Sequence, residues 1–201
     1  MPEVSERFRI AHGREWNQND VAIMYQSFEK HLFASLQDFT TPVPGVVETM
    51  EQLRREGIRI GSTTGYTDAM MKIVQPGAAA QGYTVDCLVT PDHLPAGRPA
   101  PYMIYRNMTE LAIPSVDEVV KVGDTIADIR EGLNAKVCSV GVITGSNELG
   151  LTEEEYKTMP EPELYTLKQE VRERMMAAGA HYVLDNIREL PDLIHNLMNK
   201  K

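Results

Sequence analysis

Apolar residues recur along this chain with two different periods, and the alternation between them is the first guide to its fold. Up to about residue 38 the pattern is helical. Val21, Met24, Tyr25, Phe28, Leu32 and Phe33 follow at three- and four-residue steps, which gathers them on one amphipathic stripe. Asn19 or Asp20 is placed to cap the start. Thr40-Thr41-Pro42-Val43-Pro44-Gly45 then breaks the periodicity and reads as a hinge, and residues 45–56 form a second amphipathic segment closed by Gly57.

From there short apolar runs alternate with helical ones. Strands are predicted at Ile58-Arg59-Ile60-Gly61-Ser62, Cys87-Leu88-Val89, Val119-Val120-Lys121-Val122, Val137-Cys138-Ser139-Val140-Gly141-Val142 and Tyr182-Val183-Leu184. Helices are expected over residues 66–74, interrupted at Pro76-Gly77, and over residues 101–111. Another follows the Val119 strand, another follows the capping-box spacing of Thr152-Glu153-Glu154-Glu155, and a last one closes the chain. Strands alternating with helices indicate an α/β fold with a doubly wound parallel sheet.

Composition narrows the class. The 201 residues are 42% hydrophobic and 24% charged, which fits a folded domain of ample core size. The net charge of −9 argues against a nucleic-acid footprint but leaves room for a small anionic substrate at a locally positive site. Cys87 and Cys138 sit in apolar runs without metal-type spacing and read as reduced core thiols. No apolar run has the length of a membrane span and Met1-Pro2-Glu3 does not open a signal peptide, so a soluble, cytoplasmic protein is expected.

The chemistry concentrates where strands end. The Val119 strand stops at Gly123 and delivers Asp124 and Asp128 to the start of a helix, at the sheet edge where ligands of open α/β proteins bind. Two carboxylates there call for a compensating cation, and a divalent metal with a phosphate-bearing substrate is the first reading. The alternative is an ordinary helix cap at Asp124 or Thr125. The Ile58 strand ends in Ser62-Thr63-Thr64-Gly65-Tyr66-Thr67, whose hydroxyls and free amides suit an anion or, equally, a plain Ser/Thr cap. Arg98, between Gly97 and Pro99, adds a fixed positive charge with a planar fork. Hydroxyl, cation and carboxylate pair together suit phosphoryl transfer. His12, His31, His93, His181 and His195 show no ligand spacing and read as structural, as do Met70-Met71 and Met175-Met176.

Ser62-Thr63-Thr64, then Arg98, then Gly123-Asp124-Thr125-x-x-Asp128 resemble, in order, the second, third and fourth motifs of the haloacid dehalogenase superfamily. Pro95-Ala96-Gly97-Arg98-Pro99, Lys121-Val122-Gly123-Asp124-Thr125 and Glu148-Leu149-Gly150-Leu151-Thr152 narrow the resemblance to the phosphonoacetaldehyde hydrolase (phosphonatase) family, from about Met1 to the C-terminus. It implies a haloacid-dehalogenase-like, Rossmannoid parallel sheet with helices on both faces. Residues 1–40 would be the C-terminal part of a helical cap and residues 41–201 a Rossmann-like core lacking its first strand.

The resemblance further implies Mg²⁺-dependent cleavage of a carbon–phosphorus bond to give acetaldehyde and phosphate. A cap lysine would form a Schiff base, and an aspartate of an Asp-x-x-Gly-Thr motif would attack phosphorus. Thr64 would bind the phosphoryl group, Arg98 neutralise it, Asp124 hold Mg²⁺ and Asp128 fix neighbouring loops. Ser62, Thr63, Gly65 and Tyr66 would surround the substrate. A homodimer through the cap helices is also implied, using the Val21-to-Phe33 face. A related phosphatase or phosphomutase, or a non-catalytic binding or regulatory fragment that pairs with a full-length copy, are the alternative readings.

One departure matters. No Asp-x-x-Gly-Thr strand precedes residue 58, and Lys30 is the only lysine before residue 72. By resemblance both functional groups would fall upstream of Met1. The expectations are a chain inactive by itself, and strands at Ile58 and Val119 that each lack a neighbour.

Overall fold

The computed structural model describes residues 2–199. Met1, where the resemblance opens, and Lys200 and Lys201 lie outside the described residues. The chain divides into two compact units, Met1–Thr40 and Thr41–Lys201.

In the first unit the expected continuous helical stretch is two helices, α1 (Pro2–His12) and α2 (Gln18–Ser35), followed by a 3₁₀ turn over Leu36–Phe39. Gly13 at φ +66° ends the first. The cap of α2 is Asn17, not Asn19 or Asp20. The Asn17 side chain accepts from the amides of Asn19 and Asp20, while Asp20 returns a bond to the Asn17 amide, completing a capping box. The extended φ of −128° at Asn17 frees its side chain for this role, which residues already inside the helix cannot take. Arg14 grips Asp20 with two bonds of 2.7 Å and holds its carboxyl down at about 2. Phe8 and Leu36 are buried, whereas Val21, Tyr25 and Phe28 of the α2 stripe remain exposed.

The second unit begins with α3 (Val46–Arg55), closed by Gly57 at φ +82°, and continues with β1 (Gly61–Thr63). Next comes α4 (Asp68–Ala80), which runs through Pro76 and Gly77 where an interruption was expected. Thr67 caps it by accepting from the Met70 amide and buried Met70 anchors the first turn. Proline removes one donor, and Ala78–Ala80 supply enough helix propensity to carry the helix on. Then follow β2 (Cys87–Val89), α5 (Tyr102–Glu110), β3 (Val120–Gly123), α6 (Ile126–Ala135) and β4 (Cys138–Val142). The predicted Thr152 capping box opens α7 (Glu153–Thr158), and Pro160 separates it from α8 (Glu161–Ala177). Finally β5 (Tyr182–Leu184) leads to α9 (Leu190–Met198).

All strand pairs are parallel, in two groups: β1 with β2, and β3–β4–β5. Helices cover both faces of the three-stranded group. Leu53, Ile60, Val140, Leu184, Leu190 and Ile194 form one core, and Ile129, Ile143, Val171 and Met175 lie in a second. Cys87 and Cys138 are free and half-buried, and burial raises both thiols above the usual range.

Among the described residues no strand lies between β1 and β3. Their facing edges instead line a cavity of about 1300 Å³ together with Ile104, Leu111 and Leu190. The first of these strands is Gly61–Thr63 rather than a strand from Ile58, and among the described residues β1 pairs with β2 alone and β3 with β4 alone. Two side-chain oxygens buried without a partner, Asn107 Oδ1 and Glu131 Oε1, belong to residues that bond to Ser62 and Thr63 of β1.

Candidate functional site

Valines at 120 and 122 hold β3 in the sheet and bring Gly123, Asp124 and Thr125 to its carboxyl end. Gly123 is required there. A Cβ at this position would lie 2.2 Å from the Cβ of Asp128, an overlap no rotamer relieves. Thr125 is the cap of α6: its hydroxyl accepts from the Asp128 amide at 3.2 Å, and Asp128 Oδ2 accepts from the Thr125 amide and hydroxyl at 3.3 and 2.6 Å. Asp124 is thereby released from capping. Its Oδ2 accepts the Asn147 amide at 3.0 Å, so the loop after β4 fixes its orientation.

Asp128 is the hub. Its side chain is 3% exposed, and Oδ1 meets both Arg98 Nη1 and, at 2.9 Å, Lys121 Nζ. Burial alone would raise this carboxyl, but Lys121, the Thr125 hydroxyl and Arg98 outweigh it and hold it below the usual carboxylate range.

Arg98 comes from the loop after β2. The Gly97–Ala100 turn closes through a 3.0 Å backbone bond, and Asn134 of α6 donates to the Pro99 carbonyl at 2.8 Å. With Nη1 on Asp128, Nη2 points at the β1 turn, 3.6 Å from where a Cβ at Gly65 would sit. The Thr64 hydroxyl oxygen accepts from the Tyr66 amide at 3.0 Å, which leaves its own proton free to donate.

The structure thus brings Thr64, Gly65, Arg98 and Asp128 together, with Asp124 on the turn that leads to Asp128. Ser62 contributes a carbonyl held by Asn107 at 3.0 Å, and Tyr66 is half-buried in the turn. Thr63 faces another way. Its hydroxyl donates to Glu131 Oε2 at 3.0 Å and accepts from Lys121 at 2.8 Å, so its proton and one lone pair are spent beneath the site.

Lys121 and Glu131 were not singled out from sequence as site residues. A signal existed: a lysine between two valines inside a predicted core strand, and a glutamate three residues after Asp128 on the same helical face. His93 is exposed on the loop after β2, while His181 accepts the Ser139 amide and His195 pairs with Glu56, which suits structural roles for both.

Among the described residues no three His, Cys, Asp or Glu side chains gather as a metal cage. Mg²⁺ does not require one, because it takes one or two carboxylates and completes its shell with water and substrate phosphate. Asp124, a hard oxygen donor braced by Asn147, fits as one such ligand. No helix among the described residues is long and apolar enough to cross a membrane.

Known proteins of one family are similar to this chain over most or all of its length. A family model described as haloacid dehalogenase-like hydrolase matches residues 4–136. The phosphonoacetaldehyde hydrolase of Parabacteroides distasonis is 68% identical over 200 residues, covering 100% of this chain and 76% of the relative. That of Bacteroides fragilis is 58% identical over 201 residues with the same coverage. The crystal structure of a phosphonoacetaldehyde hydrolase-like protein from Oleispira antarctica superposes with a TM-score of 0.91 at 30% identity, over 99% of this chain and 72% of that one.

Proposed function

We propose, for a chain that belongs to the haloacid dehalogenase-like hydrolases and within them to the phosphonoacetaldehyde hydrolase family, that the cluster at the β1 and β3 ends binds the phosphonate group of phosphonoacetaldehyde. The reaction is cleavage of the carbon–phosphorus bond to acetaldehyde and phosphate. The observation that carries this reading is the reach of Arg98: one guanidinium nitrogen is anchored on Asp128 and the other is directed at the Thr64–Gly65 turn.

In this reading the Thr64 hydroxyl donates to one phosphonate oxygen. Arg98 supplies a planar, charge-assisted donor to another beside Gly65. Asp128 keeps the guanidinium in place and the Thr125 cap keeps Asp128 in place. Ser62 and Tyr66 shape the rim of the turn, and Thr63 supports it from below. Asp124 would hold Mg²⁺, which when bound neutralises phosphoryl charge. Among the described residues none is assigned to attack on phosphorus or to imine formation with the aldehyde. We therefore expect the 201 residues alone to release no acetaldehyde, in a protein whose setting is the cytoplasm and whose exposed α2 face serves a homodimer.

Isothermal titration with inorganic phosphate tests the assignment. One charge-assisted bond is worth about tenfold or more in affinity, so Thr64→Val and Arg98→Ala should each weaken binding by at least that factor. Unchanged affinity in Arg98→Ala would overturn the reading. A coupled acetaldehyde assay on the purified chain should stay at background, and turnover at a rate normal for the family would refute the expectation of inactivity.

A further inference from the structure

Lys121 sits within β3 between Val120 and Val122, with its side chain only 10% exposed. An ammonium so placed destabilises the fold unless it is paired and hydrogen-bonded. Three acceptors surround it: Asp128 Oδ1 at 2.9 Å, Glu131 Oε2 at 2.9 Å and Thr63 Oγ1 at 2.8 Å. They match its three protons. Glu131 is itself fully buried, with Oε2 held by Lys121 and Thr63 and Oε1 without a partner.

With Arg98 this makes a cluster of two cations and two carboxylates, formally neutral. Without Lys121, Arg98 would be the single cation facing two buried carboxylates. Its charge would be spent inward and its fork drawn away from the Gly65 turn.

We propose that Lys121 is a positioning residue that neutralises Asp128 and Glu131 from beneath, so that Arg98 keeps charge and a free nitrogen for an anion at the Thr64–Gly65 turn. It acts through Asp128 and Arg98 and does not touch the anion. It also ties β1 to β3, since Lys121 lies in β3 and its ammonium donates to Thr63 of β1. The proposal rests on the assignment of Arg98 as an anion-binding residue.

The experiment uses the chain as it is, with inorganic phosphate as the probe, and compares the parent, Lys121→Met and Lys121→Met/Glu131→Gln. The single variant should bind phosphate about tenfold or more weakly, the worth of one charge-assisted bond. The double variant removes the carboxylate that Lys121 compensated, restores neutrality, and should recover most of that affinity. It also keeps the test open if the single variant folds poorly. Parent-like affinity in folded Lys121→Met, or no recovery in the double variant, would overturn the proposal; the latter would mean that Lys121 contacts the anion directly.

A second readout needs no phosphate. Exchange of the Arg98 guanidinium protons, followed by ¹⁵N NMR, should slow in the single variant as Asp128, no longer shared with Lys121, holds the fork more tightly in a more negative cluster, and return in the double. Unchanged exchange would refute the charge-sharing argument. If the parent binds no phosphate while exchange responds as described, the functional reading fails and the role of Lys121 stands.

Discussion

Asp128→Asn tests the organisation of the site most directly, because it keeps the shape of the side chain and removes only its charge. The carboxylate serves two cations through Oδ1 and the Thr125 cap through Oδ2, from a position 3% exposed. In the variant the amide nitrogen must face either the cations or the two Thr125 donors, so at least one donor meets a donor. Removing one partner of a buried pair costs about 3–5 kcal/mol when the other charge is stranded. Here Glu131 still serves Lys121, which lowers the expected loss to about 2–3 kcal/mol, nearer the worth of a charged hydrogen bond. For a chain of this length that is a fall in Tm of about 4–12 °C.

The pH dependence gives the charge its own signature. The folded carboxyl is held below its unfolded value of about 3.9, so the folded state binds the proton less readily than the unfolded state. The stability this confers is complete above about pH 5 and disappears as pH falls through the folded pKa. Urea denaturation at pH 7, 5, 4 and 3.5 should therefore show the gap between parent and Asp128→Asn at full size at pH 7 and shrinking below pH 4. A gap under about 0.5 kcal/mol at neutral pH, the scale of ordinary surface changes, or one that does not vary with pH, would refute the reasoning.

Other outcomes follow from the same geometry. Gly123→Ala drives a methyl into Asp128 and should cost about 1–3 kcal/mol or more by overpacking, visible as a lower urea midpoint, together with weaker phosphate binding. Thr125→Ala removes the cap of α6 and one support of Asp128, with an expected loss of about 1–2 kcal/mol in the same measurement. Arg98→Lys replaces a fork by a point charge that cannot hold Asp128 and reach the Gly65 turn together, so calorimetry should show phosphate affinity lost while Tm stays within a few degrees of the parent.

Much of this was legible in the sequence because the relevant signals are local. Valine runs ending at Gly123, a Thr-x-x-Glu box at residue 152, and hydroxyls after the Ile58 run each fix a nearby backbone conformation, and the elements formed where those signals stood. What escaped depends on side-chain contacts that periodicity does not encode. Pro76 reads as a breaker until buried Met70 and the alanines beyond it hold the helix together. Thr63 reads as a ligand until Lys121, 58 positions later, occupies its hydroxyl. Asn17 outranks Asn19 and Asp20 as a cap because Arg14 folds back on Asp20, a geometry periodicity does not encode. Lys121 was written in plain view, but its meaning lies in which carboxylates it meets across the gap.

The division of the strands into two groups has a consequence for cooperativity. No backbone ladder joins β1–β2 to β3–β4–β5 among the described residues. The two parts of the site thus belong to different hydrogen-bonded networks, linked by side chains: Arg98 to Asp128 and Lys121 to Thr63. Such a molecule opens in pieces. Amides of β1 and β2 will exchange with solvent through a lower-energy, partial unfolding that leaves β3–β5 intact, and anything that clamps Arg98 from outside will close that route.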